Sequence, residues 1–196
     1  MTIANFATAD AALVTLDLQQ GVVSTYAKEP AFITRAAGVV AEARRAHVPV
    51  IHVRVAFRPG VPEASQRNQF LSTVKGSAPH QRFFSDASGA FHPGLGVESQ
   101  DLVVTKSRVG AFAGTDLELL LRAAERHSLV LLGIATSGAV LATALQAADL
   151  DYRTFVVKDC CADAPMSVHD HLVIDVLPRQ ATVVAAEEIV AALRAA

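Results

Sequence analysis

The chain has little sulfur and no excess of positive charge. Its two cysteines, Cys160 and Cys161, are neighbours in a sequence of 196 residues. Adjacent Cα atoms lie about 3.8 Å apart, short of the roughly 4.4–6.8 Å that a disulfide spans. Both are expected as free thiols, which suits a reducing compartment. Lys and Arg number 17 against 19 Asp and Glu, and no stretch is basic, so no nucleic-acid groove is expected. The longest apolar runs, such as Leu129–Ala135, fall far short of the roughly 20 residues of a membrane span. Met1–Asp10 has neither the basic nor the apolar region of a signal peptide, and the cytoplasm is the expected location. A dinucleotide fingerprint is missing, since Gly21 is the only glycine in the turn directly after the first strand, and so is a phosphate loop. His169 and His171, two apart on an expected helix, face different directions and are expected on the surface. His52 falls within a strand and reads as a satisfied core residue. No metal and no cofactor are expected.

What is present is apolar. Hydrophobic residues make up 52% and charged residues 18%, the balance of a parallel sheet whose strands are buried on both faces. A chain of this length is expected to form one domain, residues 1–196. Short apolar runs mark strands at Ala11–Leu18, Val48–Val55, Leu102–Lys106, Leu129–Ala135, Thr154–Lys158 and Thr182–Val184. Between them, helical spacing predicts Glu29–Arg45 with an apolar face of Ile33, Ala37 and Val40, and a helix opened by a capping box at Thr115–Glu118. Further helices are expected over Ser137–Leu150, from about Asp163 to Leu177, and over Ala186–Arg194. Strands alternating with helices predict an α/β three-layer sandwich with a mostly parallel sheet. Residues 56–100, rich in Gly and Pro, form a long excursion that is functional or packs on a partner subunit, with a short helix at Ser65–Val74.

In open α/β sheets, ligands sit beyond the carboxyl ends of the strands. The first strand ends at Asp17 and the third at Lys106. Neither residue belongs in an apolar strand, and together they read either as a partly buried salt bridge or as a carboxyl tuned for proton transfer.

Four pieces then carry a resemblance: Asp17-Leu18-Gln19, Lys106, the run Gly133-Ile134-Ala135-Thr136-Ser137-Gly138-Ala139-Val140, and Asp159-Cys160-Cys161-Ala162-Asp163. In this order and spacing, from about residue 10 to residue 185, the chain resembles the isochorismatase-like hydrolases, also called cysteine hydrolases. The resemblance implies a six-stranded sheet of order 3-2-1-4-5-6 and a non-proline cis peptide at Ile134-Ala135. Backbone N–H groups at the start of the following helix would then point into the pocket. It assigns Asp17 and Lys106 as catalytic, and puts the family's nucleophilic Cys at Ala139, which has no nucleophilic atom. The metal cluster of the nicotinamidases is likewise missing after the second strand.

Members that cleave isochorismate also lack the Cys, because protonating a vinyl ether needs an acid and a water rather than a nucleophile. The expectation is therefore a cofactor-free hydrolase of a small carboxylate-bearing molecule. Gln19, Arg54, Phe112, Ala135, Thr136, Ser137 and Gly138 are expected around that substrate. Arg54, Arg58 and Arg108 are candidates for its carboxylate. Two alternatives stand beside this: a binding protein without turnover, and an amide or ester hydrolase using Ser137 or water. The resemblance also implies a homo-oligomer, dimer or tetramer.

Overall fold

The computed structural model describes residue 3 and residues 6–195. Six strands form one all-parallel sheet: β1 (Ala11–Leu16), β2 (Val50–Val55), β3 (Leu102–Lys106), β4 (Ser128–Ile134), β5 (Arg153–Ala162) and β6 (Thr182–Val184). Their order is β3-β2-β1-β4-β5-β6, as the resemblance implies. The order reverses between β1 and β4, so the crevice at their carboxyl ends is where this architecture places a ligand.

Eight α-helices accompany the described strands: α1 (Gln20–Tyr26), α2 (Phe32–Arg45), α3 (Gln69–Lys75), α4 (Ala78–Phe83), α5 (Leu117–Ala123), α6 (Leu141–Asp149), α7 (Met166–His171) and α8 (Ala186–Arg194). Side chains alternate along each strand, so the core divides into two layers. Leu13, Val130, Leu132 and Phe155 meet α2 and α8 on one face. Val14, Leu16, Val53, Leu131 and Val156 meet α5 and α6 on the other.

Local signals misplace several boundaries. α2 starts at Phe32 rather than Glu29, and its buried stripe is Phe32, Ala36, Val39, Val40 and Ala43, one position off the expected face. The capping box at Thr115 does not form. The Thr115 hydroxyl donates to the Ala111 carbonyl at 2.6 Å and accepts from Leu117 N–H at 3.2 Å. β5 runs four residues past Lys158 to Ala162, so the two cysteines lie on the strand rather than after it. The expected helix at Ser65–Val74 is α3, capped by the Asn68 side chain, which accepts from Leu71 N–H at 3.0 Å.

Two features fix the carboxyl end of β1. Gly133 on β4 is opposite Leu16 in the ladder, at φ 143°, and a Cβ there would lie 2.1 Å from the Leu16 carbonyl oxygen. Only glycine lets the two strands approach this closely. Gln19 is fully buried. Its amide nitrogen donates to Val55 O and Gly89 O, and its amide oxygen accepts from Val55 N–H. Residues 88–90 of the long excursion are thereby tied back to the end of β1, helped by Gln20 N–H on Ala90 O and Gly21 N–H on Ser88 O.

Candidate active site

Asp17 is the first residue beyond β1. Its φ is 54°, a left-handed conformation that Asp tolerates better than most residues, and its N–H donates to Val53 O at 3.0 Å. The chain turns there while the carboxylate stays over the sheet. Lys106 ends β3 opposite Val55 and is almost fully buried. Although β1 and β3 are separated by β2, the two side chains meet: Lys106 Nζ lies 2.8 Å from Asp17 Oδ2. The same nitrogen donates to Arg108 O at 3.1 Å and Val109 O at 2.9 Å. An ammonium has three N–H donors, and here each has an acceptor.

Asp17 is less completely served. Its Oδ1 is buried and has no hydrogen-bond partner among the described residues. Burial pushes the carboxyl up to about 6, against the lowering influence of the Lys106 charge and hydrogen bond. A buried polar atom left without a partner calls for an explanation. A carboxyl raised toward neutrality, one oxygen held and the other open, has the form of a proton donor.

The run after β4 is a π-wound turn, Thr136–Val140, leading into α6. The Ile134-Ala135 peptide bond is cis, as the resemblance implies. Two backbone donors of the turn are not open to a ligand. Ser137 N–H is taken by Asp163 Oδ2 at 2.6 Å, and Gly138 N–H folds back onto Ala135 O at 3.1 Å. Asp163 Oδ1 also accepts from Ala164 N–H at 2.8 Å, so Asp163 braces the turn. Ala139 is buried within it, and Ser137 is exposed.

The remaining expected substrate contacts divide. Gln19 is fully engaged with main chain and acts as a brace. Arg54 is in register with Thr105, one position off the Val55–Lys106 pair. It therefore points to the other face from Lys106, where its Nε donates to Thr105 Oγ1 at 3.3 Å. Phe112 packs in the core, its ring 5.8 Å from that of Tyr152. Thr136 is buried, with its hydroxyl 2.8 Å from His169 Nδ1. His169 is thus not a surface residue; burial lowers its pKa and favours the neutral ring. His171 is exposed and pairs with Asp175 at 2.9 Å. His52 is a satisfied core residue, between Thr15 Oγ1 at 2.8 Å and Asp101 Oδ2 at 3.2 Å.

A sizeable cavity lies elsewhere. A groove of about 1130 Å³ opens at the ends of β5 and β6, against the 26–35 stretch and α7, with Cys161, Asp163 and His169 in its wall. A second, polar groove of about 670 Å³ lies over the ends of β2 and β3. Arg58, Glu63, Ser107 and Arg108 line it. Neither is lined by Asp17 or Lys106, yet the second is walled by the two residues that follow Lys106. Chemistry rather than size locates the candidate site: buried carboxyl oxygens without a partner occur on Asp10, Asp17 and Glu63, and of these Asp17 is the one beside a buried ammonium. Among the described residues, no group of three His, Cys, Asp or Glu side chains has the arrangement to hold a metal ion.

The thiols are poor nucleophiles. Burial raises Cys161 to about 12 and pushes Cys160 higher still, with the adjacent Asp159 adding to the latter shift. In folded protein neither thiol is expected to react with iodoacetamide over a period that labels the denatured chain fully. Peptide mass spectrometry reads this directly, and rapid labelling of either cysteine in folded protein would contradict the assignment of both as packing residues.

A family model described as the isochorismatase domain matches residues 11–188. An uncharacterised isochorismatase family protein of Escherichia coli O157:H7, YecD, is 33% identical over 186 residues, 93% of this chain and 95% of its own length. A maleamate amidohydrolase of Pseudomonas putida is 27% identical over 190 residues, 93% of this chain and 86% of its own. Among solved structures, an isochorismatase family protein from Burkholderia thailandensis superposes with a TM-score of 0.85 at 31% identity, covering 95% of this chain and 96% of that one.

Proposed function

This chain belongs to the isochorismatase family, and from that premise we propose that it is a hydrolase in which Asp17 acts as a general acid, with no covalent nucleophile, on a small carboxylate-bearing vinyl ether. The observation that carries the reading is the state of Asp17: Oδ2 held by Lys106, Oδ1 buried and open, and the carboxyl raised to about 6. Position 139, which the resemblance aligns with the nucleophile, is alanine.

The steps follow from these groups. The proton on Asp17 Oδ1 passes to the terminal vinyl carbon, and the electrons of the ether oxygen form an oxocarbenium ion. Water adds to that cation and returns its proton to Asp17. The resulting hemiketal collapses to a ketone and an alcohol. Lys106 faces the carboxylate that the first proton transfer leaves behind, and so stabilises it until water returns a proton. No step needs a thiolate.

The test is a pH profile with isochorismate as the vinyl-ether probe, following pyruvate, alongside ammonia release from maleamate. An acid must be protonated to act. Turnover is therefore expected to be flat below about pH 6 and to fall roughly tenfold per pH unit above it, with pyruvate formed and no ammonia. A limb that rises through the same pH, or ammonia release without pyruvate, means that Asp17 serves as a base and the vinyl-ether reading fails. Tight binding of the probe without any product would identify a binding protein instead.

A further inference from the structure

The polar groove over the ends of β2 and β3 has no part in the proton transfer just described, but its charges are placed with respect to it. Arg108 lies two residues beyond Lys106, and its carbonyl accepts a hydrogen bond from Lys106 Nζ at 3.1 Å. The backbone that carries the guanidinium is therefore registered to the Asp17–Lys106 pair. The guanidinium itself is exposed and donates to its neighbour's carbonyl, Ser107 O, at 2.8 Å. Among the described residues no carboxylate lies within ion-pair distance of it.

The other two charges of the groove cancel. Arg58 Nη1 is 2.8 Å from Glu63 Oε1, with side chains 78% and 12% exposed respectively. Arg58 N–H approaches the same oxygen at 3.3 Å. Both hydrogen bonds fall on Oε1, while Oε2 is buried and has no partner. Burial works to raise the Glu63 carboxyl. The backbone hydrogen bonds at Glu63 and Arg58 and the Arg58 side chain outweigh it, and hold Glu63 below its ordinary value. It is an ionised acceptor with one oxygen unused. What remains in a groove of about 670 Å³, within the usual range for small-molecule sites, is one unopposed cation and one open anionic acceptor.

We propose that this groove is the subsite that holds the non-reacting end of the substrate: Arg108 takes a carboxylate, and Glu63 Oε2 accepts a hydrogen bond from a hydroxyl or N–H group on the same molecule. The inference rests on reading Asp17 and Lys106 as the reacting pair, since Lys106 is what connects the groove to the chemistry. It narrows the substrate class to small acids whose non-reacting end carries both a carboxylate and a hydrogen-bond donor, and it makes Arg108 and Glu63 specificity-determining residues. Guanidinium suits this task because its fork matches a carboxylate bidentately. Neutral or purely apolar vinyl ethers are disfavoured because both groups would be left unmatched.

The test uses binding of small probes rather than turnover. Dissociation constants are measured by NMR titration for 3-hydroxybutanoate, butanoate and methyl 3-hydroxybutanoate, with the whole chain at neutral pH. Losing a hydrogen bond to a charged group is expected to weaken binding about tenfold or more. Butanoate should therefore bind about tenfold more weakly than 3-hydroxybutanoate, and the methyl ester more weakly still. Arg108→Gln should weaken both acids by about tenfold to a hundredfold. Glu63→Gln should bring the preference for the hydroxy acid close to one while binding butanoate no more weakly than wild type, since it also releases Arg58 from its ion pair.

Equal binding of acid and ester, indifference to Arg108→Gln, or no binding of 3-hydroxybutanoate at about 50 mM each overturns the proposal. Arg108 is exposed, so its variant should keep the wild-type melting temperature, which is checked alongside. Asp17→Asn protein should bind the acid no more weakly than wild type, since the substitution removes a carboxylate and leaves Arg108 in place. Failure of the subsite then appears as lost dependence on Arg108, and failure of the reacting-pair reading appears separately, as turnover that survives Asp17→Asn.

Discussion

Asparagine at position 17 is expected to reduce turnover by about 10²–10⁴, the usual contribution of a positioned general acid, while the protein stays folded. The side chain keeps its shape, and its amide oxygen can still accept from Lys106 Nζ, which lies 2.8 Å from Asp17 Oδ2 in the native pair. What disappears is the transferable proton on Oδ1. Stability adds a second readout with a definite sign. The Asp17 carboxyl titrates at about 6 in the folded chain against 3.8 ordinarily. Its contribution to stability is therefore greatest below about pH 4 and is lost as pH rises through 6. Asparagine does not titrate, so the variant should gain on wild type as pH increases. Turnover measured with melting temperature on both sides of pH 6 checks the two effects together. A folded Asp17→Asn protein with full activity would remove Asp17 from the mechanism.

Lys106→Met should show the largest loss of stability, about 3–5 kcal/mol, the range for breaking a buried ion pair from one side. Methionine fills most of the volume and supplies no donor. Asp17 Oδ2, Arg108 O and Val109 O then lose their shared partner at once. The cost depends on pH in a direction fixed by Asp17. Without the ammonium nothing opposes the effect of burial, and the Asp17 carboxyl rises further above 6. At alkaline pH the variant holds an uncompensated carboxylate, whereas at acid pH the carboxyl is neutral and part of the loss is recovered. Urea unfolding at pH 5 and pH 8 reads the difference. A loss of the same size at both would mean that the Asp17 charge does not enter the energetics of this site.

The sheet was legible because its strands are short, wholly apolar runs, and because the alternation of strands with helices leaves few topologies open. Asp17 and Lys106 were legible for the same reason in reverse, as charged residues at the ends of runs that otherwise exclude charge. Arg54, a candidate for the substrate carboxylate, faces away from Lys106. Parity along the strand would have separated them, since Arg54 and Val55 necessarily face opposite ways and it is Val55 that lies in register with Lys106. α1 has no local signal, because Gln20-Gly21-Val22-Val23 offers neither a capping residue nor a helical former at its start; its N-terminus is held instead by carbonyls of residues 88 and 90.

The expected β5 stops at Lys158, before Asp159. That side chain interrupts the apolar run because it caps α8, accepting from Ala186 N–H at 2.8 Å, a partner 27 residues away. The burial of His169 and the groove flanked by Glu63 and Arg108 had no local signature either, because each depends on segments that only the fold brings together.

The clamp made by Gln19 has a consequence for how such a protein can diversify. It grips Val55, the last residue before the excursion, and Gly89, next to the point where the chain bridges back to Gln19 through Phe91. With both ends pinned to one buried amide, the length between them is constrained mainly by closure entropy. That term grows slowly, by roughly 0.6 kcal/mol for each doubling of the loop. Insertions, deletions or wholesale exchange between residues 56 and 88 are then inexpensive for the sheet and for the position of Asp17, two residues before the clamp. Recombination at these two anchor points offers a route to new specificities in which the loop is an exchangeable cassette and the proton-transfer machinery is inherited unchanged.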